Sequence, residues 1–254
     1  METLESIALS RMATMTRQID IIANNIANAN TTGYKTARMF FSEFLQQAGD
    51  EQLSYVYGYG TIRDFSPGAI EFTDNPLDVA IDGDGFFAVD VGDGMRYTRN
   101  GHFRIDEQRK LIVTQDDSLI EETERLLVTS EGYAVMSDQN TPVTIPATGE
   151  LDITPEGELR IGDKVVARLS VVTFDQPHLL TQNEAGVFQT DQTAVPLGQP
   201  KLIQGAIESS NVSPIIEITQ MIEVMRSFQT SQQLIKGDDE AKRRAIQTIA
   251  GVSA

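Results

Sequence analysis

The two ends of the chain share a pattern that its middle lacks, and this pattern limits the folds open to the chain. Apolar residues recur in steps of three and four over residues 3–30, and again on a heptad frame over residues 214–250. Residues at such steps lie on one face of a helix, and a narrow apolar stripe is suited to packing against another helix. The stripes consist of Leu4, Ala8, Met12, Met15, Ile19, Ile22 and Ile26, and of Ile218, Met221, Met225, Phe228, Ile235, Ile246 and Ile249. We therefore expect two long terminal helices that need a partner to cover their stripes.

The middle of the chain reads as short strands and turns. From about residue 61 to residue 205, short runs rich in β-branched and aromatic residues alternate with turn signals such as Pro67-Gly68 and Asn100-Gly101. This alternation is typical of hairpins in an all-β domain. The sequence thus predicts a mixed α and β fold, in which long N- and C-terminal helices form a coiled-coil-like inner domain and an all-β outer domain lies between them.

The expected domain boundaries follow from these patterns. Residues 1–60 form the N-terminal helix and a linker, 61–205 the β-rich outer domain, and 206–254 the C-terminal helix. Residues 36–60 are rich in aromatic residues and glycine and read as the linker. The C-terminal helix begins at Ser213-Pro214, where a capping residue precedes a proline at the first helical position.

Charge separates the ends from the middle. The chain has 20 basic and 37 acidic residues, a net charge of −17, and residues 42–213 alone carry −18. Near-neutral ends can approach copies of themselves, whereas an acidic middle keeps unassembled chains apart by repulsion. Nucleic acid is excluded as a partner, because phosphate binding needs clustered Lys and Arg.

Targeting signals are not visible in the sequence. No basic region followed by an unbroken apolar core begins the chain, so we expect no cleaved secretion signal. No apolar run approaches the roughly 18 residues that span a membrane, so no membrane span is expected. The chain has no cysteine, which excludes disulfides and thiolate chemistry. We expect it to stay in the cytoplasm or to leave the cell without such a signal.

The first predicted helix ends in a segment rich in asparagine. Residues 23–35 read ANNIANANTTGYK, and Gly33 can adopt the left-handed conformation that ends a helix. Asparagine side chains compete for backbone hydrogen bonds. Asn25 and Asn28 therefore belong either to a frayed helix end or to a packed assembly in which their amides bond to neighbouring backbones.

An internal repeat lies in the predicted β domain. Residues 106–120 align without gaps on residues 121–135, with four identical pairs that include Leu111/Leu126 and Thr114/Thr129. Two such strand-and-turn units would add one strand pair to the sheet. Duplication and chance similarity between two β-patterned segments both remain open.

No catalytic or metal-binding constellation is recognisable. The two histidines, His102 and His178, both follow turn residues, and we interpret them as turn or surface residues. The run Asp82-Gly83-Asp84-Gly85 is similar to a calcium loop, but Phe86 and Phe87 stand where further oxygen ligands are needed, so a β-turn is predicted. We expect no enzyme activity, no cofactor and no metal, and this favours a structural protein.

Five sequence blocks resemble those of the flagellar rod and hook protein family. They occur in the family's order and reach from one end of the chain to the other. The blocks are ANNIANANTTGYK (23–35), NPLDVAIDGDGFF (75–87), YTRNGHF (97–103), GAIESSNV (205–212) and MIEVMRSF (221–228). The family usually has a single L-V-T-x-x-G unit after the third block, which residues 126–132 match, so residues 106–120 read as an insertion.

The resemblance implies a polymerising structural subunit. Terminal helices would pack with those of neighbouring subunits as the inner tube of the rod, and the β domain would face the periplasm. The implied partners are other proximal and distal rod subunits, in homo- and hetero-oligomers, and the flagellar export apparatus, which needs no cleaved signal. The compact length favours a proximal-rod member; a distal-rod member, and a secreted β-rich glycan-binding module, are the alternatives.

Two sets of residues carry this interpretation. The assembly interface comprises Asn25, Asn28 and the stripe residues Leu4, Met12, Met15, Ile19, Ile22, Ile26, Ile218, Met221, Met225, Phe228, Ile235, Ile246 and Ile249. The motif turns comprise Gly33, Tyr34, Asn75, Pro76, Leu77, Asp78, Gly83, Gly85, Asn100, Gly101 and Asn211.

Overall fold

The chain begins and ends with long helices and is rich in strands between them. The computed structural model describes residues 2–48, 51–113, 119–146, 149, 151–182 and 186–252. The helices are α1 (Glu2–Ala27) and α2 (Pro214–Val252), and a short 3-10 helix lies at Pro177–Leu179. The predicted order of helix, β-rich middle and helix is confirmed. Among the described residues, no helix is both long and apolar enough to cross a membrane.

The strands within the described residues follow one another closely. They are β1 (Ala37–Ala48), β2 (Glu51–Arg63), β3 (Ile70–Phe72), β4 (Val79–Ile81), β5 (Phe86–Asp90), β6 (Met95–Thr98), β7 (Phe103–Val113), β8 (Leu119–Thr129), β9 (Ala134–Val135), β10 (Leu151–Ile153), β11 (Glu158–Ile161), β12 (Lys164–Arg168), β13 (Val171–Thr173), β14 (Thr181–Gln182), β15 (Phe188–Gln189), β16 (Val195–Pro196), β17 (Leu202–Gln204) and β18 (Ala206–Glu208).

The chain divides into two compact units. The helical unit contains Met1–Ala29, Ala37–Asp64 and Val212–Ala254. The β unit contains Asn30–Thr36 and Phe65–Asn211. The short segment 30–36 therefore groups with the strands, although it begins within the turn that follows α1.

In the helical unit, α1 packs against α2 and against β1 and β2. Strands β1 and β2 pair as an antiparallel hairpin from Ala37↔Arg63 to Ala48↔Glu51, with a bulge between Phe40 and Phe41. The prediction of a linker over residues 36–60 was therefore wrong. The aromatic residues of this segment, which were read together with its glycines as a linker, favour strands when a second strand can pair with them.

Helix α2 begins where the sequence predicted. Pro214 occupies the first helical position, and the Ser213 carbonyl accepts the Glu217 N–H at 3.1 Å. A proline loses nothing there, because the first amides of a helix have no partner within it. Glu217 lies in the first turn, where the helix dipole favours a negative charge.

The largest sheet of the β unit is built mainly from hairpins. Its strand order is β14-β15-β6-β5-β9-β8-β7, and β13 pairs with both β5 and β16. Strands β10, β11 and β12 form a separate three-stranded sheet, while β17 pairs with β4 and β18 with β3. The two repeated segments contribute to β7 and β8, which pair from Phe103↔Thr129 to Val113↔Leu119 and add one strand pair to the sheet.

Strand β5 separates two hydrophobic cores. Successive side chains of a strand point to opposite faces. Phe87 and Val89 accordingly join one core, whereas Phe86 and Ala88 join the other. Because both faces are covered, the strand reads as a continuous apolar run rather than as an alternating pattern.

Candidate functional site

The predicted stripe of α1 is partly covered inside the chain. Met15 and Ile22 are buried, and Met12, Ile19 and Ile26 are half-buried. The side chain of Leu4 lies outside the described residues, as do those of Ile246 and Ile249 on α2.

The predicted stripe of α2 divides between two faces of the helix. Met221, Phe228 and Ile235 are half-buried, whereas Ile218 and Met225 are 47% and 46% exposed. The exposed pair lies on one face with Ile215, which is 79% exposed, and Ile222. We call Ile215, Ile218, Ile222 and Met225 the α2 stripe. The heptad frame combined covered and exposed positions, because the apolar arc of this helix is wider than a single seam.

The side chain of Asn25 joins three elements of the helical unit. Its Nδ2 donates to the Ala37 carbonyl at 2.8 Å and to Glu217 Oε2 at 3.1 Å, while its Oδ1 accepts the Ala37 N–H at 3.0 Å. Both Asn25 and Glu217 are buried. The amide therefore ties the end of α1 to the start of β1 and to the first turn of α2.

Asn28 bonds its own helix end instead. Its Nδ2 donates to the carbonyl of Asn24 at 2.9 Å and to the Asn24 Oδ1 at 2.8 Å. Asn25 is buried and its backbone partner, Ala37, belongs to the same chain. The role of Asn25 and Asn28 between subunits stays a prediction.

A buried charge cluster lies in the β unit where several motif blocks converge. Glu208, 1% exposed, lies 2.5 Å from the ammonium of Lys35 and 3.2 Å from the guanidinium of Arg99. Its Oε1 also accepts the Gly68 N–H at 2.8 Å. The Lys35 ammonium donates in addition to the Ser66 carbonyl at 2.7 Å. Two cations and one carboxylate thus meet away from solvent.

Arg99 connects this cluster to the neighbouring turn. It donates to the Gly83 carbonyl at 2.8 Å, and its guanidinium carbon lies 5.2 Å from the centre of the Phe86 ring. Burial lowers the pKa of Arg99, because desolvation disfavours its charged form, while Glu208 and Asp84 act in the opposite direction. The carboxylates thereby offset part of the cost of burying this cation.

Asn211 holds the last residues of the β unit against the segment that follows α1. Its Oδ1 accepts both the N–H and the hydroxyl of Thr36 at 2.8 Å, and its Nδ2 donates to the Ser66 carbonyl at 3.1 Å. The Gly33 N–H donates to the Glu208 carbonyl at 2.7 Å. Gly33 has the predicted left-handed conformation, with φ of +69°. The N–H of Asn211 donates to the carbonyl of Tyr34, and Tyr34 is a buried residue.

The motif turn at residues 75–78 is organised around a buried aspartate. Asp78 accepts hydrogen bonds from the Thr73 hydroxyl at 2.6 Å and from Asn75 Nδ2 at 3.0 Å, and its Oδ1 lies 2.6 Å from His102 Nδ1. The Asn75 side chain also accepts the Leu77 N–H, while Pro76 is exposed. Both histidines have exposed side chains, as the sequence predicted.

The remaining motif turns depend on glycine for two different reasons. Gly83 and Gly85 have φ of +111° and +138°, which other residues rarely adopt. Gly101 is instead pressed against the Val79 carbonyl, where a Cβ would have no room. Asn100 stabilises this turn, because its Oδ1 accepts the His102 N–H at 3.0 Å.

The sequence reasoning missed the charged members of these blocks. Lys35, Arg99 and Glu208 stand inside three of the five quoted motifs, yet only the turn residues were singled out. Each of the three is the only Lys, Arg, Asp or Glu in its motif, and this was the available signal. Within the described parts of the chain, no three His, Cys, Asp or Glu side chains are grouped so that they could hold a metal ion.

The ordered polar groups of these motifs bond separate segments of the chain to one another. Three family models match the sequence: "Flagella basal body rod protein" over residues 6–35, "Flagellar hook protein FlgE/F/G D1 domain" over 80–161, and "Flagellar basal body rod FlgEFG protein C-terminal" over 203–248.

Full-length relatives agree with these matches. The FlgF rod protein of Caulobacter vibrioides is 31% identical, with 97% of this chain and 98% of the relative covered. FlgF of Mesorhizobium japonicum is 28% identical with the same coverage, and FlgG of Bacillus subtilis is 30% identical, with 94% and 96% covered. The chain belongs to the flagellar basal-body rod protein family. Within that family it is most like FlgF.

Proposed function

We propose that this chain is a structural subunit of the flagellar basal-body rod, in its proximal part, and that it polymerises through its terminal helices to transmit torque. Family membership supports the assignment to the rod. The observation that carries the proposed mode of assembly is the α2 stripe, a row of four apolar side chains left exposed along one face of a terminal helix.

Assembly would gain its free energy by covering this stripe. Ile215, Ile218, Ile222 and Met225 are each about half exposed or more. Burying the remaining surface of such a side chain contributes roughly 1 kcal/mol at ~25 cal/mol per Å². Four of them would supply several kcal/mol per subunit, of which part is offset by the freedom lost on association.

The acidic middle of the chain fits a position on the outside of the rod. Residues 42–213 carry a net charge of −18. The repulsion between these like charges is weaker when they face solvent than when they face one another. Both terminal helices would then form the inner domain and the β unit the outer one, towards the periplasm. The partners are other rod subunits, copies of this chain and the flagellar export apparatus, through which the chain would leave the cell without a cleaved signal.

A double substitution on the stripe tests this mode of assembly. Ile218→Gln with Met225→Gln should reduce the amount of the chain in purified hook–basal-body complexes by about tenfold or more, because two buried contacts are lost. Quantitative mass spectrometry at matched expression measures it. Glu223→Gln with Lys236→Gln, on exposed polar positions of the same helix, is the control. Normal incorporation of the stripe variant would contradict the proposal.

Stoichiometry separates the proximal from the distal rod. The match to FlgG of Bacillus subtilis, at 30% identity, keeps the distal rod as the second candidate. A low, fixed ratio of this chain to the other rod subunits in intact complexes supports the proximal rod, and a several-fold higher ratio supports the distal rod. Absence from the complexes would overturn both.

A further inference from the structure

Most residues of the charge cluster, all of them within the β unit, are close in sequence to the positions where the chain leaves one unit and enters the other. The chain crosses between residues 29 and 30, 36 and 37, 64 and 65, and 211 and 212. Within the β unit, Gly33, Lys35 and Thr36 lie between the first two crossings. Ser66 and Gly68 follow the third, and Glu208 and Asn211 precede the fourth.

These flanking residues are bonded to one another across three chain segments. Lys35 joins segment 30–36 to Glu208 and to the Ser66 carbonyl, and Gly68 donates to Glu208. Asn211 repeats the connection, since it bonds Thr36 on one side and Ser66 on the other. We call Lys35, Thr36, Ser66, Glu208 and Asn211 the junction clamp.

Arg99 fastens the junction clamp to the large sheet. It follows directly on β6, bonds Glu208 at 3.2 Å and also bonds the Gly83 carbonyl ahead of β5. Lys35, Arg99 and Glu208 are all nearly inaccessible to solvent. Pulling Glu208 away leaves two cations unpaired in a buried site, and pulling Lys35 or Arg99 away breaks one of its two buried ion pairs. Either change is more costly than separating a pair on the surface.

We infer that the junction clamp is the element through which mechanical load on the terminal helices enters the β unit. Tension along α1 reaches segment 30–36, and tension along α2 reaches segment 208–211. Because these segments are bonded to each other and to the sheet, the load stretches several buried bonds at once instead of peeling strands off singly. The role of this load path in torque transmission rests on the proposed rod function, whereas the inference about mechanical load does not.

Single-molecule pulling on the purified full-length chain tests the inference. The sequence has no cysteine, so Leu9→Cys and Leu234→Cys, at positions 59% and 69% exposed on α1 and α2, provide unique attachment points. Once the contacts between α1 and α2 have separated, force applied there reaches the β unit at residues 30 and 211. In this background, Lys35→Met and Asn211→Ala remove parts of the clamp, while Leu159→Ala weakens the buried core of the same unit elsewhere.

At constant force, the rate at which the β unit opens should rise on the order of 100-fold for Lys35→Met, and about tenfold for Asn211→Ala. Leu159→Ala should lower the equilibrium stability at least as much as Asn211→Ala and yet accelerate opening less. If Lys35→Met does not fold, two other measurements test the inference. The first is the opening rate of Asn211→Ala. The second is whether Thr36→Val and Asn211→Ala change the opening rate non-additively when they are combined.

Two results would overturn the inference. Clamp variants that open no faster under force than Leu159→Ala would do so, as would full additivity of the Thr36 and Asn211 substitutions. Either result is independent of the rod assignment. Absence of the chain from basal bodies would overturn the proposed function and leave the mechanical result standing.

Discussion

At the scale of single residues, close backbone approach explains why particular glycines are required. A Cβ on Gly101 would collide with the carbonyl of Val79, in the turn that connects β6 to β7, and a backbone atom cannot move aside cheaply. We expect Gly101→Ala to lower the free energy of unfolding by about 2–4 kcal/mol.

Chemical denaturation followed by circular dichroism measures this loss. Gly198→Ala is the matched control, because a Cβ there meets nothing within 4 Å. Equal stabilities of the two variants would show that the turn relaxes without cost.

A second prediction at this scale concerns Tyr97, a buried tyrosine of the second core. Burial raises its pKa above the ordinary value of 10.0, with Arg96 acting in the opposite direction. Above that ordinary value the unfolded chain releases the proton while the folded chain retains it. Below the ordinary pKa value, Tyr97 therefore makes its full contribution to the stability of the folded state. This contribution is lost as the pH rises through the pKa of Tyr97 in the folded state.

Wild type should thus lose stability between pH 9 and pH 11 more steeply than Tyr97→Phe, which cannot ionise. Urea denaturation at several pH values in this range measures the two slopes. Parallel slopes would mean that Tyr97 ionises equally easily in both states.

At the scale of elements, Asn25 decides how the end of α1 is held. Asn25→Ala would leave the backbone groups of Ala37 and the carboxylate of Glu217 without this amide. Unsatisfied buried groups cost about 1–3 kcal/mol each, so we expect a total loss of roughly 3 kcal/mol from the helical unit.

Thermal melting followed at 222 nm detects this loss as reduced helix stability. Asn24→Ala, on an exposed position one residue earlier, is the control and should cost well under half as much. A small effect at both positions would mean that water replaces the Asn25 amide.

Gly237 weakens the second half of α2. A Cβ there meets nothing within 4 Å, so Gly237→Ala changes the helix propensity and little else. Alanine is favoured over glycine inside a helix by roughly 1 kcal/mol. We expect greater helical content and slower amide exchange over residues 232–245, measured by hydrogen exchange with mass spectrometry. Unchanged exchange would show that other residues limit the stability of this half.

At the scale of the whole molecule, the two units should differ in local stability. Strand β5 is buried on both faces, whereas α2 leaves its stripe exposed. Regions with few buried contacts open at a lower free energy. In the free chain at low concentration, amides of α1 and α2 should exchange faster than those of β5, and should slow down on assembly. Strong protection of both helices in the dilute chain would contradict this.

Local patterns of the sequence were sufficient for several elements. The Ser213-Pro214 pair located the start of α2, and the left-handed turn at Gly33 followed from residue type alone. The β1–β2 hairpin was missed although the sequence has Gly49-Asp50, a typical hairpin-turn dipeptide, between the paired residues Ala48 and Glu51. The covered and exposed faces of α2 could not be separated, since periodicity identifies an apolar arc but not its neighbours.

Spacing and motifs in the sequence predict the order of helix, strands and helix and the membership of the family. They can do so because spacing and motifs depend on residues that are close together in the chain. The pairing of Lys35 with Glu208 joins residues 173 positions apart, and no local pattern encodes it. Tertiary structure alone decided that this pair is buried, that Arg99 completes it and that the α2 stripe stays open. Burial and ion pairing are properties of neighbours in space, which the chain acquires only on folding.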